Sequence, residues 1–516
     1  MATCSSDTCN LPAIHGKTEC PLHCEKSTYN SDSQGIQLTR LFKDTLCIYL
    51  TQIMGAEFED KTQKPRSVLE RHLYSGHDDP NKRYSKFLKD KVINLLNIQF
   101  PDRRSHDPND YLKILSKLKG IHFQDCTFSA GSIDLHETSI FFDGCSFVAD
   151  YWVTDALMLE NDSDALYSLC KFKSDVKISH NKDEEITSPL FSNCEFEKTL
   201  HLSSTAFPFK VFSDEISSRR KLAKIYISDA TFKEKLILNG YNIQSLIIEN
   251  SELHSKFEFK YNEVIKAQVN NTNFLGLVDT YKSKFRYFWV KKSIFDKIAT
   301  FEECEFGIEN PLDTDEVLTA KFNHVTFLDF TNFRDSKFYF GLDIRNTNLK
   351  EPPNFLGAKV KPEHTNRETF RIIKQSFDKI GNQIEANKYF SEEMKKYKED
   401  ISETGTKREK FILWVNEKSS DFGQDYLLPI KWIALSSLIY YLLAIAKEKN
   451  WLYQVLPCCG NFLSNVSTYL NGWAGHILPF QKFLEPGMEL ISLFFYVIFA
   501  GLIWQTVVAI KRHTRR

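Results

Sequence analysis

The sequence predicts a mainly β protein, wound as a right-handed parallel β-helix of about 21 residues per coil, and three observations point there. From about residue 225 to 360 the pattern apolar-x-apolar-x-x-small-x-apolar recurs every ten or eleven positions. Its centres are Ala230, Tyr241, Ser251, Asn262, Thr272, Ser283, Ser293, Cys304, Asp315, Val325, Ser336, Thr347 and Ala358. Within each copy the apolar residues alternate, as in Leu246-x-Ile248, Phe257-x-Phe259 and Leu342-x-Ile344. Alternation means short strands showing one face to a core, and it rules against the coiled coil that an eleven-residue helical repeat would make. Finally, Phe supplies 42 of 516 residues, enough to stack along an interior from coil to coil.

The elements follow in order. Asn239-Gly240, Glu249-Asn250, Asn270-Asn271 and Arg345-Asn346 are turn formers between strands. Looser copies run earlier, from Phe123-x-x-Cys126-x-Phe128 and Phe142-x-x-Cys145-x-Phe147 to Tyr167-x-x-Cys170-x-Phe172 and Phe191-x-x-Cys194-x-Phe196. The solenoid is therefore placed at 121–362, with insertions within 148–222 that are expected to carry a binding face. Residues 35–120 read as a helical cap, with Leu38, Leu41, Phe42, Leu46, Tyr49 and Leu50 on one face and Phe87, Val92, Leu95 and Leu96 on another. A cap is needed because an open first coil would recruit another chain.

The first 30 residues carry Cys4-x4-Cys9-x10-Cys20-x2-His23-Cys24. So short a segment, with little apolar content, gains order most readily from a metal, and this donor set suits structural zinc held by Cys4, Cys9, Cys20 and His23. Cys24 is the substitute fourth ligand. Four protein ligands leave no open position for catalysis. The cysteines at repeat centres read as small buried residues in a reducing, cytosolic setting.

After the repeat, 365–420 reads as an amphipathic helical stalk whose apolar positions Phe370, Ile373, Phe377, Ile380, Ile384, Phe390, Met394 and Tyr397 slip once near Asn387. It suits a cap folded on the last coil better than a coiled-coil seam. Residues 427–446 and 487–510 then read as two transmembrane helices, each about the 20 residues that a bilayer core requires. Lys407, Arg408, Lys410 and Lys418 precede the first span, and Lys511, Arg512, Arg515 and Arg516 close the second. The positive-inside rule puts both termini in the cytosol and the 447–486 loop, with Cys458 and Cys459, outside. Within that loop Trp451, Tyr453, Trp473 and Phe480 read as an interfacial belt or a re-entrant pore lining. Glu489 and Gln505 are the pore candidates, since polar groups within spans are functional by default.

No Gly-rich phosphate loop, catalytic triad or carboxylate pair stands out, and a net charge of −1 gives no bulk attraction for nucleic acid. An enzyme is not expected. The Phe-x-x-Cys-x-Phe units, the helix Arg371–Tyr397 and the ending Val507-Val508-Ala509-Ile510-Lys511-Arg512 resemble bacterial membrane proteins with a pentapeptide-repeat-like solenoid and two C-terminal spans. The units here are ten or eleven long and lack regular Ala-Asp/Asn-Leu quintets, so the family's gyrase-binding members are poor guides. The resemblance implies a two-pass protein of the bacterial inner membrane, some relatives having an ion-channel-like C-terminal region. The expected function is a membrane-anchored, non-enzymatic scaffold presenting its solenoid to a cytosolic protein. The alternative is a homo-oligomeric channel or membrane-permeabilising effector in stress or phage defence, gated by the solenoid.

Overall fold

Apolar residues two apart, interrupted by corners at a fixed interval, can be buried together only if the chain winds around them. The computed structural model describes residues 3–514 apart from 7–8, 27–31, 76–82, 104–108, 136, 160–163, 180–185, 204–205, 217–218, 310–317, 448–469 and 476–486. It divides into two compact units, Met1–Glu351 with Gly357–Lys361, and Pro352–Leu356 with Pro362–Arg516.

The first unit is a parallel β-solenoid of about ten turns. A representative coil has one long strand, Tyr241–Glu249, followed by the short strands Glu252–Leu253 and Phe257–Glu258. Each strand pairs in parallel with its equivalent one coil on, as in Asn242, Glu263 and Lys284. The interior stacks aromatic on aromatic. Phe147 lies 4.5 Å from Phe172, Phe274 4.8 Å from Phe295, and Phe306 4.8 Å from Phe338, with rings within 8° of parallel. Such pairs contribute about 0.5–1.5 kcal/mol each beyond area burial.

The corners explain the small centres. Just before each one the backbone turns left-handed, at Asp229, Asn250, Asn271 and Lys292 in one column and at Gly240, Tyr261, Lys282 and Glu303 in another. Gly, Asn and Asp accept that conformation readily. Tyr261, Lys282, Lys292 and Glu303 do not, and are held there by the strands on either side. The centre itself then closes the corner with hydrogen bonds. Ser251 Oγ accepts from the Ala230 N–H at 3.2 Å, across 21 residues, and donates to the Glu249 carbonyl at 2.7 Å. Asn262 Oδ1 accepts from the Tyr241 N–H at 2.8 Å while its Nδ2 donates to the Leu238 carbonyl at 2.7 Å.

Three sequence expectations need correction. Glu305 pairs with Lys337, 32 residues on, so the corner column passes from Cys304 to Ser336 and from Ser293 to Val325. Asp315, read as a repeat centre, lies outside the described residues. The solenoid also starts earlier than residue 121. Val92–Leu96 is a strand paired with Gly120–Gln124, because alternate burial of Ile93 and Leu95 outweighs the helical spacing read there. The helices before it are α1 (Asp32–Thr62), α2 (Arg66–Tyr74) and α3 (Arg83–Lys89). In α1, Phe42, Leu46, Leu50, Met54 and Phe58 are buried, whereas Leu41 is exposed. Phe42 meets Phe100 at 5.7 Å and Tyr111 at 5.5 Å, so α1 covers the open end of the first coil as a cap must.

The third correction falls in the second unit. The stalk is a hairpin of α4 (Arg367–Lys379) and α5 (Gln383–Thr404) rather than one slipping helix. Gly381 turns left-handed between them, and Asn382 caps α5 by accepting from the Glu385 N–H at 3.3 Å. Phe377 and Tyr389 stack across the hairpin at 5.6 Å. Then follow α6 (Lys407–Ser420), α7 (Leu427–Lys447) and α8 (Glu489–Thr514). The last two are long and apolar enough to cross a membrane. Tyr440, Phe495 and Phe499 form a small core between them, with Tyr440 Oη 2.9 Å from Ser492 Oγ. Asn387, the polar residue in the stalk's apolar stripe, donates to the Arg512 carbonyl at 3.1 Å and thereby satisfies the open end of α8.

Candidate metal centre and surface sites

The N-terminal segment has too few apolar residues to fold alone, and its backbone arranges sulfur and nitrogen around one point. Cys4 and Leu11 are tied by an N–H to carbonyl bond of 2.9 Å, with Thr3 bridged antiparallel to Pro12, which loops Cys9 back toward Cys4. The His23 and Cys24 amides both donate to the Cys20 carbonyl, a single turn that brings Cys20 and His23 to one side. The ligand atoms of Cys4, Cys9, Cys20 and His23 lie within 4.8 Å of one another, and all four residues are buried.

The edges measure 3.6 Å from Cys9 Sγ to Cys20 Sγ, 3.5 Å from Cys4 Sγ to His23 Nδ1 and 3.2 Å from Cys20 Sγ to His23 Nδ1. Tetrahedral bonds of usual zinc length imply edges of about 3.8 Å between sulfurs and about 3.6 Å from sulfur to nitrogen. The backbones of Ser6, Leu11 and Leu22 hydrogen-bond to the sulfurs of Cys4, Cys9 and Cys20 in ways that favour the thiolate. Burial pushes Cys20 up to about 12 and holds His23 below its ordinary value. The backbone of Leu96 bonds the His23 side chain, and the Leu22 carbonyl accepts from the Gln99 N–H at 2.9 Å. The cluster is thus fastened to the first coil, and an outer partner orients the imidazole. Cys24 stands apart, its Sγ 3.9 Å from the Pro21 carbonyl and 3.5 Å from Lys26 Nζ.

The solenoid surface has a feature that sequence reasoning missed. The outward positions of one side carry Lys177, His201, Lys224, Tyr226, Lys266, Tyr287, Trp289, Lys291 and Lys321, brought together by parallel register. Lys224 lies 5.7 Å from the Tyr226 ring, Lys266 6.0 Å from Tyr287 and Lys291 5.6 Å from Trp289. Among the described residues these five lysines make no ion pair. Burial, and then Lys177, keep His201 below its ordinary value. Other lysines of the solenoid are paired. Lys337 lies 2.8 Å from Glu305, and Lys260 2.9 Å from Asp279. An open groove of about 680 Å³ lined by Lys221, Glu263, Lys284, Arg286, Glu305 and Glu309 likewise mixes both signs. The missed signal was available once the coil length was known, because it tells which alternating residues face outward together. This side also runs through the region read as insertions, since Tyr151–Thr154 and Asp175–Ile178 are strands of the same sheet.

The pore candidates are not brought together. Glu489 accepts from the Gly487 N–H at 2.8 Å in the exposed first turn of α8. Gln505 lies about 24 Å further along the helix by its rise per residue. Its Oε1 accepts from Ser420 Oγ at 3.0 Å. Trp473 Nε1 donates to Ser437 Oγ at 3.0 Å, while Trp451, Tyr453, Cys458, Cys459 and Phe480 lie outside the described residues. Comparison of the chain with protein-family models, with curated proteins and with solved structures finds no match.

Proposed function

We propose that this chain is a membrane-anchored, non-enzymatic scaffold whose solenoid holds an acidic, extended segment of a cytosolic protein. The supporting observation is the side bearing Lys177, Lys224, Lys266, Lys291 and Lys321, which among the described residues make no ion pair, whereas Lys171, Lys260 and Lys337 elsewhere on the solenoid do. Coils about 4.8 Å apart set these cations on a rigid lattice interleaved with rings, so an extended polyanion meets several of them at little ordering cost. Two spans, α7 and α8, anchor it, and the basic flanks favour cytosolic termini in a bacterial inner membrane. The N-terminal cluster holds structural zinc through Cys4, Cys9, Cys20 and His23. Borderline-soft sulfur and imidazole donors on a tetrahedron suit that ion.

Fluorescence anisotropy with labelled polyglutamate tests the scaffold reading. Binding to the full chain in detergent should be salt-sensitive and fall at least tenfold in Lys224→Glu/Lys266→Glu/Lys291→Glu. Tighter binding of oligothymidylate than of polyglutamate would replace the protein partner with single-stranded nucleic acid. A triggered conductance in liposomes, abolished by Gln505→Leu with insertion intact, would favour the oligomeric channel instead. Metal analysis should find one zinc per chain, lost in Cys20→Ser.

A further inference from the structure

Helix α6 buries Leu413 against Ile401 and Phe422, and Ser419 and Ser420 in its last turn. Its outer face leaves Phe411 63% exposed, Ile412 62%, Trp414 51% and Val415 38%, with Phe411 and Trp414 stacked at 6.2 Å. A soluble helix that turns four large apolar residues outward is missing its solvent. Cations frame this face, with Lys407 and Arg408 in the first turn and Lys418 in the last. Neither acid of the helix opposes them. Glu409 is engaged in a capping box with Thr406, and Glu417 is paired with Lys398. Position supplies the remaining observation. The C-terminal end of α6 is hydrogen-bonded to both spans, through Trp432 Nε1 to the Lys418 carbonyl at 2.7 Å and Ser420 Oγ to Gln505 Oε1 at 3.0 Å. Trp432 stands near the start of α7 and Gln505 near the end of α8, so α6 lies at the level where one span begins and the other finishes.

We propose that α6 is an in-plane membrane helix, its Phe411, Ile412, Trp414 and Val415 immersed at the headgroup boundary and Lys407, Arg408 and Lys418 bound to anionic lipid phosphates. Lysine and arginine stems reach past the apolar face to the headgroups, the arrangement such helices use. This rests on the reading that α7 and α8 span the bilayer. It adds a lipid-sensing surface that sets how the chain sits at the membrane.

Depth-dependent quenching tests it. The full chain is reconstituted in phosphatidylcholine vesicles with and without phosphatidylglycerol, and the emission of Trp414 and Trp504 is isolated by difference from Trp414→Phe and Trp504→Phe. Trp504, 68% exposed on α8, reports insertion of the span. With phosphatidylglycerol present, shallow doxyl-lipid should remove most of the Trp414 emission and acrylamide little of it. Changing Lys407, Arg408 and Lys418 together to Gln should abolish the dependence on phosphatidylglycerol. If Trp504 is quenched by lipid while Trp414 stays open to acrylamide, the in-plane helix is wrong and the spans stand. Shielding of Trp414 from both quenchers overturns it in favour of a protein or a second copy on this face. If neither tryptophan meets lipid, the membrane reading itself fails.

Discussion

The two halves of the solenoid close the same corner with different chemistry. In the early coils the centre is a thiol. Cys126, Cys145, Cys170 and Cys194 each donate to a carbonyl of the preceding coil at 3.3–3.4 Å. In the later coils it is a hydroxyl or amide. Ser283 Oγ donates to the Phe259 carbonyl at 2.7 Å and accepts from the Asn262 N–H at 3.2 Å, while Ser293 Oγ accepts from the Thr272 N–H at 3.2 Å and donates to the Lys291 carbonyl at 2.9 Å. The thiol is a weak donor and acceptor, so the early corners rely more on packing and the later ones more on hydrogen bonding. Aromatic stacking runs through both halves, from Phe123 on Phe142 to Phe306 on Phe338. The early coils carry two crossed columns, Phe142 stacked on Tyr167 and Phe147 on Phe172, with Phe142–Phe147, Phe147–Tyr167 and Tyr167–Phe172 meeting edge to face between them.

Four perturbations bear on that contrast. The largest effect is expected at the early stack, where Phe147→Ala should cost about 3–5 kcal/mol. Urea unfolding of the full chain in detergent, with hydrogen exchange locating the loss to coils 123–196, checks it. A smaller cost in this half than for Phe306→Ala would break the comparison. Next, Asn262→Ala strands the buried Tyr241 N–H and should cost about 2–3 kcal/mol in the same assay. Third, burial pushes Cys304, one thiol within the later half, up to about 12, and raises Cys126 and Cys170 as well. A raised folded value means stability present below the ordinary thiol range and lost as pH climbs from about 9 toward 12. Cys304→Ser should flatten that alkaline loss in denaturation midpoints taken at pH 8, 10 and 11. Smallest of all, Cys170→Ser at neutral pH should stay within about 1 kcal/mol, because the hydroxyl takes over the thiol's bond to the Phe142 carbonyl. A large loss there would show that thiol corners are packed too tightly to be exchanged for hydroxyl corners.

Much of this architecture was legible because packing writes itself into spacing. Ala230, Ser251 and Thr272 recur at the interval that backbone pairing requires, and Cys20-x-x-His23 at the interval of one turn. Less legible were features decided by partners distant in the chain. Val92–Leu96 could show either period until Gly120–Gln124 claimed it as a strand. The break at Gly381-Asn382 was visible as residues, yet the apolar stripe ran on past it because both arms of the hairpin bury the same kind of face. The lysine side is invisible in any single copy of the repeat. It exists only once Lys224, Lys266, Lys291 and Lys321 are laid side by side.

The jump from 21 to 32 residues between Glu305 and Lys337 has a practical consequence. The corner columns resume on the far side of that detour as though nothing had been added, with Lys337 bonding back to the Cys304 carbonyl at 2.9 Å. Here the register takes a longer connection than the neighbouring coils use. An epitope tag or a reporter peptide grafted at this port should leave the winding on either side undisturbed, a way to label the molecule without touching either end.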